Sequence, residues 1–306
     1  MERLVECVPN FSEGRNAELV ERIARAAELE GATLLDREMD SSHNRCVITF
    51  AGSPETVVRA AYASVKEALP RIDLNHHKGE HPRMGACDVI PFVPISGVSV
   101  EECVGLAREL GRRIGEELGV PIYLYAEAAT RPERKALPDI RKGEFEGLRD
   151  KIGKDPAYVP DFGPNRIHPT AGCTAVGARF FLIAYNIQLD TPNVDAAQQI
   201  AKAIRERDGG LPRMQAKGFE VEVNGRKLAQ VSMNLLDFRQ TSVLRVFEEV
   251  ERRAKDAGIS IFDSELVGLV PRAALDDATA RRVKLRGYDP AKQVLEEVIA
   301  SKRRKS

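Results

Sequence analysis

The sequence predicts an α/β (α+β) protein made of two tandem split β-α-β units of the ferredoxin-like type. Three observations carry this. The chain has 306 residues, enough for about two domains at ~150 residues each. Its first third alternates between strand-like and helix-like apolar periods in the order strand-helix-strand-strand-helix-loop-strand. After Cys173 the same order begins again. The divide is expected near residue 180, giving an N-terminal subdomain over 1–180 and a C-terminal one over 181–306. A ligand groove is expected between them, since pockets favour such junctions.

Taken in order, residues 3–9 read as a strand. Residues 16–30 repeat Leu19, Val20, Ile23, Ala26 and Ala27 at helical spacing and stop at Gly31. Strands are expected over 32–37 and 44–51. Ser53-Pro54-Glu55 then supplies an N-cap and a first-turn proline for a helix ending about Leu69. A strand over 88–93, a helix over 100–118 opened by Ser99 and a strand over 121–125 follow. Residues 131–172 hold Pro132, Pro138, Pro156, Pro160, Pro164 and Pro169 among many charges. There a short helix over 142–151 is expected within a structured crossing segment that buries Tyr158, Phe162 and Ile167; long irregular stretches in compact proteins are often functional. Beyond it come a strand over 175–189 and a helix over 194–207. Strands over 218–223 and 228–236 are joined by Asn224-Gly225, a strong hairpin signal. A helix over 243–257 ends at Gly258, before strands over 259–262 and 266–270 and a helix over 290–300. The basic tail Ser301-Lys302-Arg303-Arg304-Lys305 reads as solvated charge, with an acidic partner as the rival reading.

Charge and composition exclude several classes. Lys plus Arg number 46 and Asp plus Glu 46, so no global field recruits nucleic acid or an anionic membrane. With no tryptophan there is little to make a base-stacking surface. The odd set of cysteines (Cys7, Cys46, Cys87, Cys103, Cys173) contains no C-x-x-C pair and reads as buried thiols of a reducing compartment. No run approaches the ~20 apolar residues of a membrane span, and no apolar signal region opens the chain. A cytoplasmic protein is expected, with small molecules or a second copy of itself as partners.

The most informative stretch is 76–94. Three of the five histidines, His76, His77 and His81, stand there among Lys78, Glu80 and Arg83, ahead of an apolar strand. Imidazole titrates nearest neutrality, so such a loop suits proton transfer. Gly79, Pro82 and Gly85 argue against a helix, which weakens the metal reading of the i, i+4 pair His77 and His81. A solvated polar loop is the plain alternative, and Cys87 is a lone candidate nucleophile without a supporting signature.

These residues, taken with Val5-Glu6-Cys7-Val8-Pro9-Asn10-Phe11-Ser12-Glu13-Gly14 at the start, resemble the glutamate formiminotransferase family. The segment from His77-Lys78-Gly79-Glu80-His81 through Pro94 is similar to that family. So are Glu117 to Tyr125, Pro160-Asp161-Phe162-Gly163-Pro164, Ala229 to Phe238 and Glu265 to Pro271. The resemblance implies transfer of a formimino group between N-formimino-L-glutamate and tetrahydrofolate, a step of histidine breakdown, with no metal. It places the catalytic histidine on His81 and an acidic residue at Glu38, expected to orient the imidazole or steady a cationic reaction centre. A carboxylate bonded to His81 would raise its pKa; Asp40 is the rival. The folate-binding stretch falls on Gly163-Pro164-Asn165-Arg166-Ile167-His168-Pro169-Thr170-Ala171-Gly172, where the glycines and prolines match and Asn165 to His168, Thr170 and Ala171 depart from the animal pattern. Both substrates are anionic, so Arg83 and Arg45 are candidates for holding a carboxylate. The resemblance further implies a homodimer and a stand-alone transferase, with a separate cyclodeaminase as a candidate partner. The competing activity is formyl transfer from N-formylglutamate, which needs an oxyanion donor. A non-catalytic folate-binding module and a structural partner are the other classes.

Overall fold

Strand β1 (Leu4–Cys7) continues as β2 (Asn10–Phe11). Both pair with the same two neighbours, so they are one strand interrupted at Val8-Pro9, where proline has no N–H for the ladder. Helix α1 (Ala17–Leu29) is capped by the Asn16 side chain and leads to β3 (Thr33–Asp40), β4 (Arg45–Gly52) and α2 (Pro54–Ala68), which Ser53 caps. The histidine loop precedes β5 (Cys87–Ser96); α3 (Val100–Glu117) opens on a Ser99/Glu102 capping box and β6 (Ile122–Ala126) follows. Within the Pro-rich segment lie α4 (Leu137–Ile140) and α5 (Glu144–Lys151), and β7 (Thr174–Ala178) closes the unit. This computed structural model describes residues 2–304, so Lys305 of the basic tail lies outside the described residues. The first compact unit ends at Arg179 and the second begins at Phe180.

In the first unit the sheet runs β3-β4-β1/β2-β5-β7-β6. Its antiparallel part is the expected β-α-β-β-α-β arrangement. The parallel strands β7 and β6 then extend it beyond β5, which the sequence pattern did not anticipate. Alternation sorts the side chains. Cys46, Ile48 and Phe50 of β4 enter the core against α1, α2 and α3, while Arg45, Val47 and Thr49 point to the opposite face. Over β5, β7 and β6 that opposite face is covered by Ile140, Leu148 and Ile152 of the Pro-rich segment, packed on Tyr123, Tyr125 and Ala175. Arg134 ties the segment down: its buried guanidinium donates to Asp161 at 2.7 Å and to the Val159 carbonyl at 2.6 Å. Asp161 in turn accepts from the Leu124 backbone of β6 at 2.8 Å.

The second unit contains β8 (Ile183–Leu189), α6 (Val194–Ile204), β9 (Met214–Val223), β10 (Arg226–Leu235), α7 (Val243–Asp256) and β11 (Ile261–Val267). Its antiparallel sheet has the order β11-β8-β10-β9, the strand order of a split β-α-β fold. Tyr185, Ile187, Val231 and Met233 meet Ile200, Phe247 and Val250 of the two helices. The chain then forms α8 (Asp277–Arg282), α9 (Pro290–Gln293) and α10 (Leu295–Arg303).

Three expected elements are redrawn. The single strand over 175–189 is β7 and β8, which belong to different units. The two strands over 259–270 are one, β11, with a register shift between Ile261 and Asp263. The helix over 290–300 is broken at Val294, whose extended backbone bridges to Val270.

Candidate functional site

The histidine loop is held against the turn between β3 and β4. Asp40 organises that turn. One carboxylate oxygen accepts the N–H groups of Ser42 and His43, each at 2.9 Å, and the other meets His43 Nδ1 at 2.7 Å. Asn44, with φ of 49°, donates to the Lys78 carbonyl and accepts from the Gly14 N–H. The Glu80 N–H donates to Ser42 O at 3.2 Å. Gly79 is required by this contact: a Cβ there would lie 2.2 Å from the His43 carbonyl oxygen. His77 Nε2 donates to Asn44 O at 2.8 Å, while its Nδ1 accepts from Arg83 Nε at 3.3 Å. Both ring nitrogens of His77 are thereby spent on structure. His76 is exposed and sits 3.9 Å from Asp73.

His81 is placed on the polar face of the sheet. Its Nε2 accepts a hydrogen bond from Arg45 Nη1 at 3.1 Å. Arginine only donates, so this is a neutral imidazole carrying its proton on Nδ1. Burial first, then the charges of Arg45 and Arg141, push its pKa down to about 3. This corrects the expectation of a carboxylate on the ring. No hydrogen bond joins Glu38 to His81, and the partner that lowers the imidazole's basicity is a cation. Glu38 lies on the same sheet face, opposite Val47 in register, and burial with the nearby Asp36 holds its carboxyl above the usual range. Asp40, the rival, is committed to its turn, and the hydrogen bonds from His43 pull its pKa down.

The two arginine candidates separate. The Arg83 side chain is 9% exposed and bonded through all three nitrogens, with Nη1 on Glu144 and Glu146, Nη2 on Glu146 and Nε on His77. It fastens the histidine loop to α5 with four of its five N–H donors, which favours a structural role for Arg83 over the expected role of binding residue. Arg45 reaches His81 and Asn10 through Nη1, while its buried Nε has no partner. Sequence reasoning missed Arg141, the residue that ends α4. Arg141 Nη2 bonds Asp88, whose other oxygen accepts the Met84 N–H at 2.7 Å, and its own buried Nε is likewise unpartnered. Only the irregularity of the segment hinted at it. Also missed was Glu6 on β1, whose buried carboxyl is pushed up to about 7 by desolvation, against the pull of Arg179. Cys87 is a buried thiol whose pKa burial raises well above the ordinary value, which disfavours the thiolate that a nucleophile needs.

The 163–172 loop abuts the histidine loop directly. Gly172 bridges to Gly85, and the Ala86 N–H donates to Ala171 O at 2.9 Å. Gly172 has φ of 71°, and a Cβ on it would lie 2.1 Å from Met84 O. His168 serves its own turn, since Nδ1 accepts the Ala171 N–H at 3.0 Å. Gly163, Asn165, Arg166 and Pro169 are exposed; Pro164, Ile167, His168 and Thr170 are half-buried and Ala171 is buried. Among the described residues no group of three or more His, Cys, Asp or Glu side chains is placed to share a metal ion. Nor, among them, is any helix long and apolar enough to cross a membrane.

An imidazole held neutral beside guanidinium groups with unused donors, on a sheet face walled by a folded strap, defines an enzyme site that moves protons next to anionic substrates. The chain belongs to the formiminotransferase family. Residues 4–179 match the formiminotransferase domain, N-terminal subdomain, and residues 184–295 match the formiminotransferase domain. It is 46% identical to a glutamate formimidoyltransferase of Streptococcus pyogenes serotype M1, over 97% of this chain and 98% of that one. It is 48% identical to a glutamate formimidoyltransferase of Thermoplasma acidophilum, over 94% of each chain. It is also 50% identical to the formimidoyltransferase-cyclodeaminase of Mus musculus, where the match covers 92% of this chain and 52% of that protein.

Proposed function

We propose that this chain is a glutamate formimidoyltransferase, moving the formimino group between N-formimino-L-glutamate and tetrahydrofolate, with His81 as the general acid and base. Full-length likeness to two proteins of that name supports the reaction. The observation that carries the residue assignment is His81 itself, a neutral imidazole presented on the polar sheet face. Tetrahydrofolate supplies the nucleophilic amine. His81 takes the proton released as that nitrogen forms its new bond and returns a proton to the departing glutamate nitrogen. The formimino carbon is amidine-like and cationic, so a carboxylate rather than an oxyanion donor suits it. Glu38, on the face that carries Arg45, is assigned that role.

The loop from Gly163 to Gly172 is assigned to the folate. Its fit rests on exposed Gly163, Asn165 and Arg166 leading into a closing turn that is bonded to the histidine loop. A place in histidine breakdown, a cytoplasmic setting and a homodimer formed through the N-terminal half belong to the same reading. A monomeric mass by light scattering at micromolar concentration would count against the dimer. The deciding assay follows consumption of N-formiminoglutamate by the purified chain with and without tetrahydrofolate, beside N-formylglutamate as donor. Folate-independent consumption, or preference for the formyl compound, overturns the assignment.

A further inference from the structure

Two cations beside His81 have more hydrogen-bonding capacity than the protein uses. Arg45 comes from β4 and Arg141 from the end of α4, and each keeps a buried Nε with no acceptor. A buried unsatisfied donor is costly, so a pair of them at one site marks missing acceptors. Burial and then the nearby Arg141 guanidinium lower the basicity of Arg45, and Glu38, Asp40 and Asp88 offset only part of this. Asp88 fixes Arg141 through Nη2, and the buried Nε of Arg141 is left without an acceptor. The complementary ligand is a planar anion with two acceptor oxygens, a carboxylate.

We propose that Arg45 and Arg141 together receive one carboxylate of the amino-acid donor, and that this carboxylate draws Arg45 off His81 Nε2 and so frees the base. The inference rests on N-formimino-L-glutamate being the donor. In the ligand-free arrangement the Nε2 lone pair is already occupied by Arg45, so His81 has no free acceptor there. A carboxylate is a stronger acceptor for guanidinium than a neutral imidazole. Once Arg45 turns to it, Nε2 is open to the proton released in the reaction. The donor is favoured over the glutamate tail of folate because the reacting carbon must sit at His81, and the folate tail is at the far end of that molecule from its reacting amine.

The change of charge acts in the same direction. The groups facing His81 are Arg45, Arg141, His43 of the β3–β4 turn and His77 of its own loop, all of which lower its basicity. Neutralising the first two with a carboxylate removes the largest charge contributions and leaves burial. The imidazole then moves back toward the range in which it both accepts and gives up a proton.

Glutarate, a dicarboxylate with no formimino group, is the probe. In the full-length protein with 15N-histidine, His81 is assigned by difference from His81→Gln. Saturating glutarate is expected to shift the His81 Nε2 resonance and raise its titration midpoint by more than one pH unit. Arg141→Lys keeps the charge and a donor for Asp88 but loses the Nε edge. It is expected to weaken glutarate binding at least tenfold by calorimetry and to raise the donor KM similarly, with the folate KM unmoved. Arg45→Lys gives an independent version if Arg141→Lys does not fold. The inference fails if glutarate binds without moving the His81 titration, or if a folded Arg141→Lys keeps its donor KM. It also fails if the folate KM rises instead, which would assign the carboxylate to folate. A wild-type protein that transfers no formimino group yet binds glutarate through Arg141 would defeat the proposed function and leave the carboxylate site standing.

Discussion

The two units carry the same β-α-β-β-α-β order and use it differently. In the second, the central strands of the sheet face opposite the helices carry the uncharged Asn186, Gln188, Gln230, Ser232 and Asn234, flanked by Lys217 and by Asp263 and Glu265, whose carboxylates are paired with Arg286. In the first, the corresponding face carries Glu38, Arg45 and Glu6, with His81 and Arg141 brought onto it. What separates them is not the repeated framework but two additions to it. A long loop before β5 supplies His81, and the strap between β6 and β7 supplies Arg141, Glu144 and Glu146. The extra parallel strands β7 and β6 give that strap an edge to lie across. Chemistry therefore resides in the insertions and the framework only aims them.

The largest effect should come from the first unit's imidazole. His81→Ala is expected to lower kcat by roughly 10²–10⁴-fold with a much smaller change in KM, whereas Asn186→Ala in the second unit should leave steady-state rates within about twofold. Comparable kinetics for the two variants would erase the distinction. Next, Arg134→Met strands Asp161 in a place where the pair is 4% and 10% exposed. Breaking a buried pair of this kind costs about 3–5 kcal/mol. Chemical denaturation should show that loss in the first unit, together with falling activity as the strap loosens.

The third prediction uses pH. The Glu6 carboxyl is raised from 4.5 in the unfolded chain to about 7 in the folded one. Its neutral form is the one folding favours, so its contribution is complete below about pH 4.5 and is lost as pH rises through 7. Glu6→Gln should therefore raise Tm more at pH 8 than at pH 5, and an equal shift at both would show that Glu6 does not titrate with folding. The smallest effect belongs to the second unit's hairpin. Gly225 has φ of 77°, so Gly225→Ala should cost about 1–2 kcal/mol of stability with activity intact. A loss of activity there would tie the hairpin to function.

Much of the framework is legible locally because local rules make it. Ser53-Pro54, the Ser99/Glu102 capping box and Asn224-Gly225 each satisfy or shape backbone within a few residues, and each is found where its pattern places it. The split between β7 and β8 is invisible to periodicity, because both halves are apolar and no turn signal divides them. Val294 breaks a helical pattern for the sake of a bridge to Val270, a partner far away in sequence. The site divides the same way. The histidine loop announces itself by residue type and glycine placement. The identity of the group on His81 does not, since Arg45 and Glu38 share one face of one hairpin and only the tertiary placement of the histidine loop over that face decides which one reaches the ring. Arg141 is one arginine among many in its segment; Asp88, which singles it out, is reached only through the tertiary fold.

The five cysteines suggest a practical use of the interior. All are buried, and burial raises the pKa of Cys7, Cys46, Cys87, Cys103 and Cys173, so none presents a thiolate to solvent in the folded state. Thiol reagents consequently report on breathing rather than on the resting molecule. Cys173 follows Gly172, and its Sγ lies 3.7 Å from Met84 O, beneath the junction of the two loops. Its labelling rate is a clock for the opening of that junction. A fluorophore placed on an added surface cysteine would report its own position without removal of the native ones.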